Sequence, residues 1–203
     1  MRGSGFWGRW VAAAAAMMIA ATPAAAQFSD SYKFLKAVRD RDGNVVTEMV
    51  EKPGSTIINT KETTSGDTAL HIVVKRRDAT WLNFLLSKGA NPNIRDGEGN
   101  TPMIAAAQLR FADGIQTLIA GKGDVNATNS RGESPLIIAV QNRDVASVRL
   151  LLAAGADASM PDRIAGMSAR DYARQDGRSD IILKMIEDAK GTKPKGPVAG
   201  PTL

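Results

Sequence analysis

The stretch GDTALH, residues 66–71, decides how the rest of the chain is read, because it returns further along. Its echoes are GNTPMI from Gly99, GESPLI from Gly132 and a blurred GMSARD from Gly166. Thr68, Thr101, Ser134 and Ser168 are separated by 33, 33 and 34 residues, and Gly66, Gly99, Gly132 and Gly166 keep the same spacing. A glycine two residues before a hydroxyl residue, recurring at a period of this size, marks a stacked repeat rather than a catalytic loop.

Each unit has the same internal order. Thr101-Pro102 and Ser134-Pro135 read as helix starts: the hydroxyl caps orphan amides, and a proline in the first turn gives up no hydrogen bond. Short apolar stretches follow at 103–107 and 136–140. After a polar break comes a second run with apolar residues three and four apart, Ile115, Leu118 and Ile119 in one unit and Val148, Leu151 and Leu152 in the next, as a half-buried helix requires. The small Ala106, Ala107 and Ala139 allow close approach between units. A polar segment rich in Gly and Asn closes each unit.

At this point the residues carry a resemblance. GNTPMIAAAQLRFADGIQTLIAGKGDVNATN and GESPLIIAVQNRDVASVRLLLAAGADASMPD resemble ankyrin repeats, with their Thr-Pro-Leu-His-like start and Gly-Ala-Asp-x-Asn-like exit. The unit from Gly66 matches through Thr68, Leu70 and His71 and then through LLSKGANPN. The resemblance covers about residues 31–190 and implies an all-α repeat solenoid of about five helix-turn-helix units joined by loops or β-hairpin fingers. The expected units are 27–61, an N-terminal cap; 62–95, 96–128 and 129–161; and 162–190, a C-terminal cap. The last replaces an apolar position with Arg170 and sets Lys184 where Phe84, Thr117 and Leu150 stand, giving the polar outer face a terminal unit needs. One internal departure is Lys122, in the place of Gly89 and Gly155; a locally altered turn is expected there, relieved by Gly121 and Gly123.

The first 26 residues read as a secretory signal: Arg2 and Arg9 without an acid, an apolar Ala-rich run, then small residues at Ala24 and Ala26 before Gln27. This places the mature chain in the periplasm or outside the cell, in the manner of a bacterial exported protein. Retained, the same segment would be an anchor. Residues 191–203, rich in Gly and Pro with two lysines, read as a disordered basic tail. Membrane contact is expected only through that tail or an uncleaved N-terminus.

Composition removes most catalytic chemistry. Cysteine is absent and histidine occurs once, which excludes a disulfide framework, a Cys/His metal centre and a cysteine nucleophile, and confines any Ser-His-Asp triad to His71. The Asp/Asn clusters lack the spacing and terminal Glu of an EF-hand, and neither GKGDVN nor DGEGN continues as a phosphate loop. No cofactor or metal and no enzyme activity is expected. Without the first 26 residues the 26 basic side chains fall by two to 24 against 21 acids, a net charge near +3, which gives no reason to expect nucleic acid.

Another protein is therefore the expected partner, met by a monomer. The resemblance implies contact through the concave face, carried over as the helix-end pairs Lys75 and Arg76, Gln108 and Leu109, Gln141 and Asn142, Gln175 and Asp176, and the finger positions Asp67, Glu98, Asn100, Arg131 and Glu133. The helix-end series runs from basic through amide to mixed, a gradient that would orient a partner. Thr68, His71, Thr101, Pro102, Ser134 and Pro135 are assigned structural roles, with His71 hydrogen-bonding around the helix-start turn. The alternatives are an envelope-anchored scaffold and a protective or inhibitory protein for an exported enzyme or toxin.

Overall fold

A computed structural model describes residues 24–191. Residues 1–23 of the segment expected as a signal (1–26) and residues 192–203 of the expected tail (191–203) lie outside the described residues, and so does any anchor they would form. Among the described residues there are ten helices: α1 Ala24–Asp40, α2 Gly43–Glu51, α3 Ala69–Lys75, α4 Ala79–Ser87, α5 Pro102–Gln108, α6 Ala112–Ala120, α7 Pro135–Gln141, α8 Val145–Ala153, α9 Ala169–Gln175 and α10 Asp180–Gly191. Each odd-numbered helix packs on its even partner and on the odd helices before and after it. The even helices from α4 to α10 form the second row. No helix among the described residues is long and apolar enough to cross a membrane.

The helix starts follow from the hydroxyl residues. Thr101 Oγ1 accepts from the Ile104 amide at 3.4 Å and Ser134 Oγ from the Ile137 amide at 3.2 Å, with Pro102 and Pro135 in the first turn. Behind these caps Leu70, Met103, Ile104, Leu136 and Ile137 are fully buried, joined from the second row by Leu82, Leu85, Ile115, Leu118, Leu151 and Ile182. One continuous core results, shared between neighbours so that no unit closes it alone.

Among the described residues the fingers are tight turns, with a single isolated antiparallel bridge, Pro161 to Ser168, in the last. They are closed by backbone bonds such as Asp96 N–H to Asn100 O at 2.8 Å with Gly99 N–H to Asp96 O at 3.2 Å, and Asn129 N–H to Glu133 O at 3.1 Å with Gly132 N–H to Asn129 O at 3.0 Å. The turns are stitched side by side through Gly97 N–H to Ser65 O at 2.8 Å, Ser130 Oγ to Glu98 O at 2.7 Å and Arg163 N–H to Arg131 O at 2.9 Å. A second line of stitches runs through asparagine: Asn59, Asn93 and Asn126 each accept, at 2.8 Å, from the backbone N–H of Asn91, Asp124 and Asp157 in the following unit.

Two expectations are corrected here. Lys122 does not alter its turn: it takes φ +64°, in the same region as Gly89 at +90° and Gly155 at +87°. Its amide bonds Ile119 O at 3.0 Å and Gly123 N–H bonds Leu118 O at 2.8 Å, as Gly89 and Ala90 bond Leu86 and Leu85. The flanking glycines serve packing instead, since a Cβ would come within 2.9 Å of Leu86 at Gly121 and within 2.8 Å of Met103 at Gly123. Lys122→Gly is therefore expected to stabilise the chain by about 1 kcal/mol, read by calorimetry, by removing a left-handed non-glycine residue. A lower melting temperature would show that the lysine side chain has a task of its own.

The second correction concerns Lys184. The α9–α10 turn carries one extra residue, so that Ser179 O accepts from Leu183 N–H at 2.8 Å just as Asp144 O accepts from Val148 N–H at 2.9 Å. Lys184 thus matches the exposed Arg149, and the half-buried Met185 takes the place of Leu150. The polar outer face comes from Arg170 and Arg174, which stand where Leu70, Met103 and Leu136, and Val74, Ala107 and Val140, are covered by a following unit.

A compensated pair sits in the middle unit. Phe111 replaces the aspartate that caps α2, α4 and α8, and makes no side-chain cap. Its ring is buried against Gly114, where a Cβ would lie 2.2 Å from Phe111 Cδ1. Glycine to alanine in a helix normally gains about 1 kcal/mol. Here Gly114→Ala is expected to cost about 1–2 kcal/mol in denaturant titrations by overpacking, with Phe111→Asp added to it restoring stability.

Candidate interaction surface

The helix-end pairs divide in two. Lys75, Gln108, Gln141 and Gln175 are exposed, at the C-terminal ends of α3, α5, α7 and α9. Their neighbours turn to other units. The Arg76 guanidinium donates to Val38 O and Arg39 O, both at 3.1 Å, pairs with Asp78 and lies 5.8 Å from the Trp81 ring centroid. Trp81 packs edge-on against Phe84. Asn142 donates to Ala107 O at 3.2 Å, and Leu109 O accepts from Arg77. Asp176 receives Arg143, with Nε at 2.7 Å from Oδ2, and the Ser179 hydroxyl; those bonds hold its carboxyl well below the usual carboxylate range.

The finger positions divide similarly. Glu98 and Arg131 are exposed, whereas Asp67 and Asn100 are buried. Asp67 is gripped by Lys75 Nζ at 2.7 and 2.8 Å. Asn100 donates to Asp96 and Glu98 and accepts from Gln108 and Asn129. Glu133 is held by Arg131 and Asn129 at 2.7–2.8 Å. The expected basic-to-mixed gradient is therefore flattened: Lys75 is matched by Asp67, Arg131 by Glu133, Asp176 by Arg143, and Arg76 has turned inward.

His71 lies wholly buried between two units. Nδ1 accepts from the Thr68 amide at 3.2 Å and sits 2.9 Å from the Thr68 hydroxyl, while Nε2 is 3.0 Å from Asn100 O. A backbone amide only donates and a carbonyl only accepts, so the ring is the neutral Nε2–H tautomer. Burial outweighs the Asn100 carbonyl and the nearby Asp96 and Asp67, and pushes the imidazole pKa below its ordinary value.

Sequence reasoning passed over the row four residues after each hydroxyl: Ile72, Ala105, Ile138 and Tyr172. Each lies three residues before an exposed Lys or Gln, hence on the same helix face. The period that located Thr68 would have found them. Tyr172 is half-buried and its hydroxyl donates to Asp162 at 2.6 Å, which raises the tyrosine pKa. Burial works against ionisation of Asp162, but Tyr172 and the amides of Ala165, Ile164 and Gly166 overcome it and lower its pKa. Among the described residues no group of three or more His, Cys, Asp or Glu side chains is placed to hold a metal.

Comparison with known proteins agrees with this geometry. Residues 34–129 match a family model for ankyrin repeats in three copies, and residues 118–173 a second for ankyrin repeats in many copies. The 2-5A-dependent ribonuclease of Homo sapiens is 34% identical over 82 residues, which is 40% of this chain and 11% of the ribonuclease. The nuclear factor NF-kappa-B p110 subunit of Drosophila melanogaster is 35% identical over 52 residues, 26% of this chain and 5% of that protein. An ankyrin repeat protein of fowlpox virus (strain NVSL) is 45% identical over 47 residues, 23% of this chain and 14% of the viral one. The chain thus spans a small part of the curated relatives it matches. Two family matches that together run from residue 34 to 173, over an all-helical stack with one unit every 33 or 34 residues, establish that the chain belongs to the ankyrin-repeat family.

Proposed function

We propose that this chain is an exported, non-enzymatic adaptor that binds another protein through its concave face and finger turns. Ankyrin repeats generally mediate protein–protein interaction. The observation that carries the reading here is the row Lys75, Gln108, Gln141 and Gln175, exposed at one level of four successive units while the rest of each helix end is spent on holding the stack. A preformed face of this kind loses little entropy on binding, so modest contacts give useful affinity. Export rests on the signal-like residues 1–26. Removal at Ala26 would take three residues from α1, and among residues 30–189, whose burial is described, the first buried side chain is Phe34.

The test is capture from a periplasmic extract with wild type, Lys75→Glu, Gln108→Ala and Gln141→Ala, set against Asn83→Ala and Arg149→Ala on the exposed side of the even helices. Loss of the partner in the first set alone is expected. Equal recovery throughout would remove the concave face from the reading. The mass of the recovered protein tests export: a chain beginning at Gln27 is expected, and retention of residues 1–26 would replace the free adaptor by an envelope-anchored scaffold.

A further inference from the structure

We infer that the concave face takes an extended, uncharged polypeptide segment, anchored by one apolar side chain in a cavity between α7 and α9. The inference rests on the adaptor reading and specifies the partner's chemistry. Its first ground is charge complementarity. Lys75 and Asp176 are matched within the chain by Asp67 and Arg143, and glutamines stand at the helix ends between them, so the helix-end row presents a near-neutral, hydrogen-bonding surface whose complement is itself uncharged.

The second ground is the amide row. A glutamine side chain offers two N–H donors and two oxygen lone pairs. Gln108 spends one N–H on Asn100 Oδ1 at 3.3 Å, Gln141 reaches the Tyr172 hydroxyl, and the remaining capacity of all three glutamines faces outward. Paired donors and acceptors match the N–H and C=O of a peptide backbone. A helix has already spent those groups on itself, whereas an extended segment carries them free. The floor agrees: an amphipathic helix needs a continuous apolar stripe, but Ala105 is 3% exposed and Ile138 5%. Stacked helices lie about 10 Å apart, and an extended chain advances about 3.1–3.4 Å per residue, so every third residue meets the next glutamine.

The third ground is the anchor point. Val140, Gln141, Tyr172, Gln175 and Asp176 line an open cavity of about 220 Å³, which holds one side chain. Val140 and the Tyr172 ring supply its apolar wall beside the polar Gln141, Gln175 and Asp176, and the bond to Asp162 fixes the ring. Asp176 is committed to Arg143 and Ser179 and is no trap for a cation.

A phage library of random decapeptides, panned on the purified chain, tests this. Enriched peptides are expected to be uncharged and helix-breaking, with one Leu, Met, Val or Pro at a shared position. Their resynthesised forms should bind roughly tenfold more weakly to Gln141→Arg, which blocks the cavity mouth, and about threefold more weakly to Gln108→Ala. They should bind unchanged to Asn83→Ala on the exposed side of α4, and change less than about twofold in affinity between low and high salt. Circular dichroism confirms that each variant is folded. Enrichment of charged peptides with salt-dependent affinity, of helical peptides with apolar residues three and four apart, or of nothing above an empty surface overturns the inference. If a native partner is nonetheless captured through Lys75 and Gln108, the adaptor reading stands and this mode alone fails.

Discussion

Replacing His71 with Ala is expected to destabilise the chain by about 3–4 kcal/mol and to lower its melting temperature by roughly 10 °C. The truncation opens a cavity at a fully buried position and strands two backbone groups, the Thr68 amide in one unit and the Asn100 carbonyl in the next. Folded protein that survives at low temperature should bind its partner with unchanged affinity, because no atom of the ring reaches the concave surface. A variant as stable as wild type would show that the bonds to Thr68 and Asn100 carry no weight.

The same ring sets a pH response whose sign follows from its depressed pKa. The folded chain keeps His71 neutral, while the unfolded chain takes up a proton near pH 6.5. Its contribution is therefore complete above about pH 6.5 and declines as pH falls below that value, toward the lower folded-state pKa. Asp96, Asp67 and Lys75 are the charged groups that face it, the two carboxylates favouring the imidazolium and the lysine opposing it. Chemical denaturation between pH 7 and 5 should show this slope in wild type and lose it in His71→Asn. An equal slope in both would assign the effect to other groups.

The second large effect concerns the finger glycines and depends on position along the stack. Gly66 holds φ +73°, and a Cβ there would stand 2.6 Å from Gly97 N and 3.0 Å from the Asp96 carbonyl carbon, backbone atoms of the adjoining finger that cannot step aside. Gly66→Ala should cost about 3 kcal/mol, combining the left-handed conformation with that collision. Gly166 has nearly the same conformation, φ +65°, but nothing lies within 4 Å of its added Cβ, since among the described residues no further finger packs on it. Gly166→Ala should cost about 1 kcal/mol, the backbone component alone. Equal losses in urea titrations would mean that close approach between fingers contributes nothing.

The repeat, its period and its helix starts were legible because they rest on local chemistry: a hydroxyl at Thr101 or Ser134, a proline behind it, a glycine two residues before. Relations between units were less so. Arg76 and Asn142 looked like partner contacts because their positions in the unit are those of a surface, yet Val38 and Ala107 carbonyls, remote in sequence, claim them. Arg41, Arg77, Arg110 and Arg143 share a left-handed turn with φ from 51° to 59°, and three of them reach the next unit at Asp78, Leu109 and Asp176. The 33-residue recurrence of Arg77, Arg110 and Arg143 is visible in the chain, but a left-handed arginine contradicts local preference and becomes intelligible only with the neighbour in place. Lys184 was misplaced for a simpler reason: a one-residue insertion in a turn shifts every position of α10 while leaving its apolar pattern intact.

The two lines of stitches, one through the finger turns and one through Asn59, Asn93 and Asn126, also fix how the molecule carries a mechanical load. Tension applied to the two ends runs across the helices, from unit to unit, so the interfaces bear it in series and each must sustain the whole of it. The weakest gives way first and releases its 33 residues, about 110 Å of extended chain, before the next is strained further. An assembly held by the ends of this chain would yield in measured lengths rather than snap.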